Sequence, residues 1–479
     1  MYLPRIDGNS IMNQKFQTQS ESPSSIMDGA DPFQKLQQKI QQQTATIGVV
    51  GLGYVGLPLA VEYAKAGFET RGIDLDSERV RRLDQGENYN DDLDDETVER
   101  VVGEGFLSAD EGFGHAGNVD VFFICVPTPV TEHNEPDTSY IESATRSIGE
   151  HLRPGQLVVL KSTTYPGTTE EVVQDVLGKT QEGLQVGHDY FVAFSPERID
   201  PGNEEYTTAN TPVVAGGVTS RCTTLAEQAI GQVVQEVHTV SNPKVAEMEK
   251  LLENIYRSVN IALVNELAQL SERMDDVSIW EVIEAASTKP FGFDPFYPGP
   301  GLGGHCIPVD PHYLSWTAQR HDFETSFITL SARVNEDMPF HVCQSVTEAI
   351  AQQPVALSDA TVLILGVAFK ANVDDTRHSP AGTIIRLLQE KGVGTIRYHD
   401  PHVESYSVPG SNGEAIDVPS VALTPEALHG CDVAVITTGH DAFDAEMIAE
   451  HAPQIVDTRN ALADVEERHR EKIQLLGHE

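Results

Sequence analysis

The stretch TATIGVVGLGYVG, residues 44–56, decides the fold. It is an apolar strand that runs into a glycine-rich turn, with Gly51, Gly53 and Gly56 in the pattern G-x-G-x-x-G. The next residues, LPLAVEYAKAG, have helical period and stop at Gly67. FETRGIDLD (68–76) then reads as a second strand that ends in acids, the first of them Asp74. Three glycines at this spacing occur by chance, and a purely structural turn is the competing reading. A strand before, a helix after and a carboxylate at the end of the next strand point instead to a dinucleotide site. The glycines permit the tight turn, the close approach of backbone to pyrophosphate and the packing of helix on strand. The free N–H groups of the helix N-terminus face the phosphates. Asp74 suits the ribose hydroxyls and repels a 2′-phosphate, so the expected cofactor is NAD rather than NADP.

Outward from this unit the same grammar repeats. VDVFFICVPTP (119–129) and GQLVVLKSTTYPG (155–167) read as buried strands. Strands alternating with helices imply a parallel sheet with right-handed crossovers. Residues 243–274 form one periodic stretch without Gly or Pro after Pro243, with Asn242 as N-cap and Pro243 as first helical residue. At about 1.5 Å per residue this helix spans close to ~48 Å. It can link two domains and offer a dimer face, an internal core helix being the alternative. A second α/β unit begins at Ala360 with ATVLILGVAFK, and continues through GTIRYHD (394–400), CDVAVITTGH (431–440) and PQIVDTRN (453–460). The expected fold class is α/β, with two Rossmann-like doubly wound domains joined by a long central helix. The expected parts are an NAD-binding domain over 44–240, a central helical part with a catalytic loop over 241–340, and a C-terminal domain over 355–479. Residues 1–43 are rich in Ser, Asn and Gln and read as a disordered or partly helical polar extension outside the fold.

Length and charge narrow the function. A chain of 479 residues has room for two to four domains of roughly 100–200 residues. With 73 acidic and 32 basic residues the formal charge is −41, which argues against nucleic acid and against an anionic membrane surface. No run of about 18 uncharged apolar residues appears, so no membrane span is expected. The opening residues, MYLPRIDGNSIMNQKF, lack a signal-peptide core, and five cysteines are too few for a disulfide framework. A cytoplasmic protein is expected. The acidity runs along the whole chain and lysine is scarce, which suits a salt-rich cytoplasm where charge is screened within a few ångströms.

The most unusual segment is PFGFDPFYPGPGLGGHCIPVDPHY (290–313), too rich in proline and glycine for a regular element and too apolar for a linker. It places Cys306 after Gly303, Gly304 and His305 and four residues before Asp310. Glycines leave room for a substrate beside the sulfur, and His305 or Asp310 can tune the thiol. Cys125, Cys222, Cys343 and Cys431 lie in strand- or helix-like segments and read as small buried hydrophobes. No Cys/His spacing fits a metal site. Lys250 and Asn254, four apart on one helix face, suit a developing alkoxide, or equally a surface lysine beside a solvated amide.

GLGYVGLPLA, CVPTP, KSTTYPGTTE, SPERIDPGN, KLLEN, PGPGLGGHCIPVDP and GVAFKANVDDTRHSPA occur in this order. As an ordered set they resemble the UDP-glucose/GDP-mannose dehydrogenase family of nucleotide-sugar 6-dehydrogenases, over residues 44–479. KPFGFDPFYPGPGLGGHCIPVDPHYL together with SPERIDPGN is most similar to the UDP-N-acetylglucosamine 6-dehydrogenase branch. The resemblance implies two successive oxidations of a C6 hydroxymethyl to a carboxylate, with two NAD⁺ and one water. In this reading Cys306 is the nucleophile that forms a thiohemiacetal and then a thioester. Lys250 and Asn254 stabilise the oxyanion. Glu197 and Asp310 are the acids of proton transfer and water activation, with the base of the two left open, and Thr163 helps to position water. The implied NAD contacts are Gly51, Gly53, Gly56, Asp74, Arg79, Thr128, Thr163 and Arg377. The implied UDP-sugar contacts are Glu197, Arg198, Lys250, Asn254, Tyr297, Gly303, Lys370 and Arg459. A homodimer built on the long helix is implied as well. A two-electron hydroxyacid dehydrogenase would not need Cys306 or a second nucleotide domain, and a non-catalytic nucleotide-sugar sensor would not need Cys306, Lys250 and Asn254 together.

Overall fold

A computed structural model describes residues 31–90, 92–131, 135–199, 205–304, 307, 309–410 and 415–478. The strand read at the start of the sequence is β1 (Ile47–Val50), buried along its whole length. It heads an eight-stranded sheet with β2 (Thr70–Ile73), β3 (Leu107–Asp110), β4 (Val121–Ile124), β5 (Leu157–Leu160), β6 (Phe191–Phe194), β7 (Val213–Gly217) and β8 (Val237–Thr239). The order is β3-β2-β1-β4-β5-β6-β7-β8. All neighbours are parallel except β6 and β7, which are antiparallel. Alternate residues of the central strands go to opposite cores, Val49, Phe123 and Val159 to one and Val50, Phe122 and Val158 to the other. Both faces are therefore covered, which is why these strands read as continuous apolar runs rather than alternating ones. The chain leaves β1 towards β2 and later returns on the other side as β4, so a crevice opens at the carboxyl ends of β1 and β4.

The central helix covers Pro243–Ser271 and is capped as the sequence suggested, with the Asn242 side chain accepting from the Val245 N–H at 3.2 Å. It packs along a second long helix, Ser326–Ala351. The contact is pinned by buried amides: Asn265 Nδ2 donates to Asn335 Oδ1 at 3.0 Å, and Asn335 Nδ2 to the Ser258 carbonyl at 3.1 Å. Asn265 Oδ1 also accepts from the Gly299 N–H at 2.9 Å, which ties the proline- and glycine-rich loop to the helix pair.

The C-terminal unit is a five-stranded parallel sheet of β9 (Thr361–Leu365), β10 (Thr395–His399), β13 (Val433–Ile436), β14 (Ile455–Asp457) and β15 (Ile473–Leu475), in the order β10-β9-β13-β14-β15. A short antiparallel pair, β11 (Tyr406–Pro409) and β12 (Ala415–Val418), lies outside it. The order reverses between β9 and β13, giving a second crevice at the loop that follows β9.

Two expectations are corrected. The polar N-terminal extension does not reach residue 43: Pro32–Gln41 is a helix within the fold. Its Leu36 and Ile40 are fully buried and Phe33 packs on Phe191, while Lys39 and Asp31 pair with Asp120 and Arg221. Phe33, Leu36 and Ile40 sit on one helix face, and the glutamines between them hide the period. Residues 1–30 lie outside the described residues. The loop segment also ends earlier than residue 313, because Asp310 opens a helix, Asp310–Gln319, with Pro311 in its first turn. Among the described residues no helix is long and apolar enough to cross a membrane.

Candidate active site

The first crevice is shaped by the three glycines, each in a different way. Gly51 has φ +90°, and a Cβ there would lie 2.7 Å from the Cys125 carbonyl oxygen. A Cβ on Gly56 would lie 1.7 Å from the Gly51 carbonyl oxygen, so the helix start can approach the strand only as glycine. Gly53 has nothing within 4 Å of that position, which leaves its backbone open to a ligand. No side chain caps the helix Gly56–Lys65, so its N-terminal N–H groups face the crevice without a side-chain acceptor. Asp74 holds the turn: Oδ2 accepts from the Leu52 N–H at 2.7 Å and Oδ1 from the Asp76 N–H at 2.9 Å, with Arg79 3.5 Å from Oδ2. Across the crevice Thr128 Oγ1 donates to the Thr163 carbonyl at 2.7 Å and so joins the ends of β4 and β5. Arg377 reaches over from the C-terminal unit, its guanidinium 4.8 Å from the centre of the Tyr54 ring and paired with Asp375. Open backbone at Gly53, a free helix N-terminus and a carboxylate at the second strand end fit a dinucleotide.

Lys250, Asn254 and Asp310, far apart in the chain, meet at a second point. Lys250 is buried on the central helix, and one turn on Asn254 Nδ2 donates to Asp310 Oδ2 at 2.5 Å. Asp310 is only 1% exposed. Burial pushes its carboxyl up to about 6, against the opposing pull of the Asn254 hydrogen bond and the Lys250 charge. A cation, an amide donor and a carboxyl group near neutrality are therefore collected in one dry place. The surface-lysine reading of Lys250 is excluded by its burial.

Glu197 follows β6. Its Oε1 accepts from the N–H groups of Arg198 and Ile199 at 2.9 and 3.1 Å, and its Oε2 faces Lys161 Nζ at 3.3 Å. Arg198 turns to the central helix, where it pairs with Glu249 and with Glu253 at 2.8 Å and donates to the Pro212 carbonyl at 2.9 Å. Burial and the neighbouring Glu249 push the Glu253 carboxyl up to about 7. Since Glu249 precedes Lys250, the Glu197–Arg198 corner and the Lys250–Asn254–Asp310 cluster are connected through one turn of helix.

Cys306 and His305 lie outside the described residues. Both flanks of the pair are held. On one side the Gly304 N–H donates to the Arg377 carbonyl at 2.9 Å, and a Cβ on Gly303 would sit 2.6 Å from Phe369 Cβ. On the other stands Asp310. Lys370 follows Phe369 and is half-buried. Arg459 donates to the Thr437 carbonyl at 3.0 Å and comes within 2.5 Å of the place a Cβ on Gly299 would occupy. Burial pulls its guanidinium down to about 10, with Asp457 opposing. Tyr297 stacks on Trp280, ring centres 5.6 Å apart, and is half exposed.

Three side chains were missed by sequence reasoning. Lys161, first residue of the KSTTYPG motif, is 3% exposed beside Glu197. Glu247 is fully buried, and its carboxylate accepts from the Gly167 and Thr169 N–H groups at 2.5 and 2.8 Å, which fixes the loop after Thr163. Its place one turn before Lys250 was the available signal. The Tyr313 hydroxyl donates to the Thr128 carbonyl, joining the helix that begins at Asp310 to the dinucleotide crevice.

Models of the UDP-glucose/GDP-mannose dehydrogenase family match the chain in three consecutive parts: the NAD binding domain over residues 45–239, the central domain over 244–337 and the UDP binding domain over 363–464. A UDP-N-acetyl-D-mannosamine dehydrogenase of Pyrococcus horikoshii is 34% identical over 87% of this chain and 96% of its own length. A UDP-N-acetyl-D-glucosamine 6-dehydrogenase of Pseudomonas aeruginosa is 34% identical over 88% and 96%. Among solved structures, a UDP-D-ManNAc dehydrogenase from Pyrococcus horikoshii aligns with a TM-score of 0.80 at 32% identity, covering 90% of this chain and 99% of that one. The similar proteins span several branches and do not single out the N-acetylglucosamine branch that the approach to Cys306 suggested.

Proposed function

Because the chain belongs to the UDP-glucose/GDP-mannose dehydrogenase family and is an NAD-dependent oxidoreductase of nucleotide sugars, we propose that it oxidises the C6 hydroxymethyl of UDP-N-acetylglucosamine to the carboxylate. The observation that carries the reaction type is the buried meeting of Lys250, Asn254 and Asp310 beside the loop of Cys306. NAD⁺, held by Gly51, Gly53, Gly56, Asp74, Arg79, Thr128, Thr163 and Arg377, supplies a hydride acceptor for each of the two oxidations. Cys306 adds to the C6 aldehyde to give a thiohemiacetal, because an aldehyde has no second hydride to give until a nucleophile adds; loss of that hydride and of the hydroxyl proton in the second oxidation gives a thioester, and water hydrolyses it to the carboxylate and the free thiol. Lys250 and Asn254 stabilise the oxyanion of addition and hydrolysis. Asp310 and Glu197 hold and move the protons, and Thr163 positions the water. Lys370, Arg459, Tyr297 and Gly303 receive the UDP-sugar. Two copies associate through the central helix, whose Leu252, Leu263 and Leu270 are at least half exposed although apolar.

The sugar is argued from Arg198 and from the approach to Cys306. Arg198 offers a polar group beside the proposed hexose site. With its two terminal nitrogens engaged by Glu249, Glu253 and Pro212, Nε is buried without a hydrogen-bond partner and remains for an acetamido carbonyl. Leaving such a group unpaired costs about 1–3 kcal/mol, so UDP-glucose should be poorer by roughly 10- to 100-fold. UDP-N-acetylmannosamine is the second reading, supported by relatives at the same identity. Purified protein given each UDP-sugar separately, with NADH counted against sugar consumed, tests both levels. The expected result is two NADH per UDP-N-acetylglucosamine. Faster turnover of another UDP-sugar overturns the sugar, and one NADH with released aldehyde overturns the thioester route.

A further inference from the structure

We propose that Lys161 is a positioning residue of the reaction, its buried ammonium standing against the Glu197 carboxylate and leaving Oε2 as the proton-accepting atom. The proposal rests on the reading of Glu197 as a proton-transfer group. Lys161 directly follows β5 on the crevice side: its N–H donates to the Ile124 carbonyl at 2.9 Å, and its side chain is 3% exposed. A lysine so buried is costly unless a counter-charge meets it, and the same holds for an enclosed carboxylate. Each supplies what the other lacks, at 3.3 Å.

The arrangement at the carboxylate is unequal, and that inequality separates a working pair from a structural one. Oε1 is saturated by two backbone N–H groups, which fix the plane of the carboxylate. Oε2 is buried and makes no hydrogen bond; it has the ammonium near it but outside hydrogen-bond geometry. It keeps a lone pair for a substrate hydroxyl or water while feeling the full positive charge. Among the described residues, few groups face this pair. From the end of β4 comes Cys125, whose thiol burial pushes up to about 12, so it stays neutral and does not compete for the charge. From the central helix, Glu249 and Glu253 are engaged by the Arg198 guanidinium. Lys161 itself makes no bond to the substrate and acts through Glu197.

The test uses the full-length enzyme and four variants, Lys161→Met, Lys161→Arg, Glu197→Gln and the double variant Lys161→Met/Glu197→Gln, with kcat followed from pH 5 to 9 and KM for NAD⁺ measured alongside. Lys161→Met should lower kcat at pH 7 by roughly 10-fold or more, with KM for NAD⁺ within about twofold. The acidic limb of its profile should move up by about 1–3 pH units, the effect of an opposite charge within a few ångströms. Lys161→Arg should restore the position of the limb, and Lys161→Met should cost nothing further in the Glu197→Gln background. A loss of equal factor at every pH, or a wild-type kcat, overturns the proposal. Should Lys161→Met not fold, the Lys161→Arg profile decides, since a limb displaced as far as about 1 pH unit despite the retained charge overturns it as well. A Glu197→Gln enzyme that keeps the wild-type limb instead refutes the assignment of Glu197, an outcome distinct from a failure of Lys161 alone.

Discussion

Replacing Asp310 by Asn should make the protein more stable at pH 8 while abolishing its activity. Asp310 is 1% exposed and its carboxyl is raised from an ordinary 3.8 to about 6, burial outweighing Asn254 and Lys250. A carboxyl whose folded value lies above its unfolded one contributes stability that is complete below about pH 4 and lost as pH rises through about 6. The gap of a little over two pH units, at about 1.36 kcal/mol each, makes ionised Asp310 cost about 3 kcal/mol at pH 8. Part of this returns, because Asp310 is in the first turn of its helix, where a negative charge is worth about 0.3–1 kcal/mol. Asparagine keeps an oxygen for the Asn254 amide and carries no charge, so Asp310→Asn should gain about 2 kcal/mol at pH 8 and nothing at pH 4. Melting temperatures of the two proteins, compared at each pH in molar KCl, isolate this term because the other acids are common to both. The difference should open between pH 4 and 6 and reach about 2 °C by pH 7. A difference that is constant across pH, or an Asp310→Asn variant that melts below wild type at pH 8, refutes the claim that this carboxylate is held against its solvation preference.

Other outcomes follow from the same geometry. kcat/KM should favour NAD⁺ over NADP⁺, and Asp74→Ala should narrow the gap by removing repulsion of the 2′-phosphate; it should also loosen the turn, since Asp74 accepts from the Leu52 N–H at 2.7 Å. Cys306→Ser should lose conversion to the acid, whereas Ser at Cys125, Cys222, Cys343 or Cys431 should not, a result read by product analysis and by trapping of a covalent adduct. Activity and self-association should rise with KCl, because at −41 per chain two like-charged surfaces must meet, and sedimentation in a salt series reads this directly. Full activity and an unchanged oligomer at low salt would make the acidity incidental.

The elements of this fold are written locally, and for that reason they could be read. A strand, a glycine turn and a helix start occupy consecutive residues, and Asn242 and Pro243 cap a helix within one turn. The ordered motifs likewise marked Lys250, Asn254, Glu197 and Asp310 before any geometry was known. Where the local signal was diluted, the reading failed: the glutamines of Pro32–Gln41 concealed three apolar residues that only a sheet and a neighbouring helix could bury. What the sequence could not contain is which side chains meet. Asn254 and Asp310 are 56 residues apart, and Lys161 and Glu197 follow neighbouring strands, β5 and β6, that pair only in the folded sheet. That Arg198 turns on to two glutamates of the central helix is a property of packing alone. Burial then sets the chemistry, because desolvation, which no residue type carries by itself, is what brings Asp310 towards neutrality and obliges Lys161 to find its carboxylate.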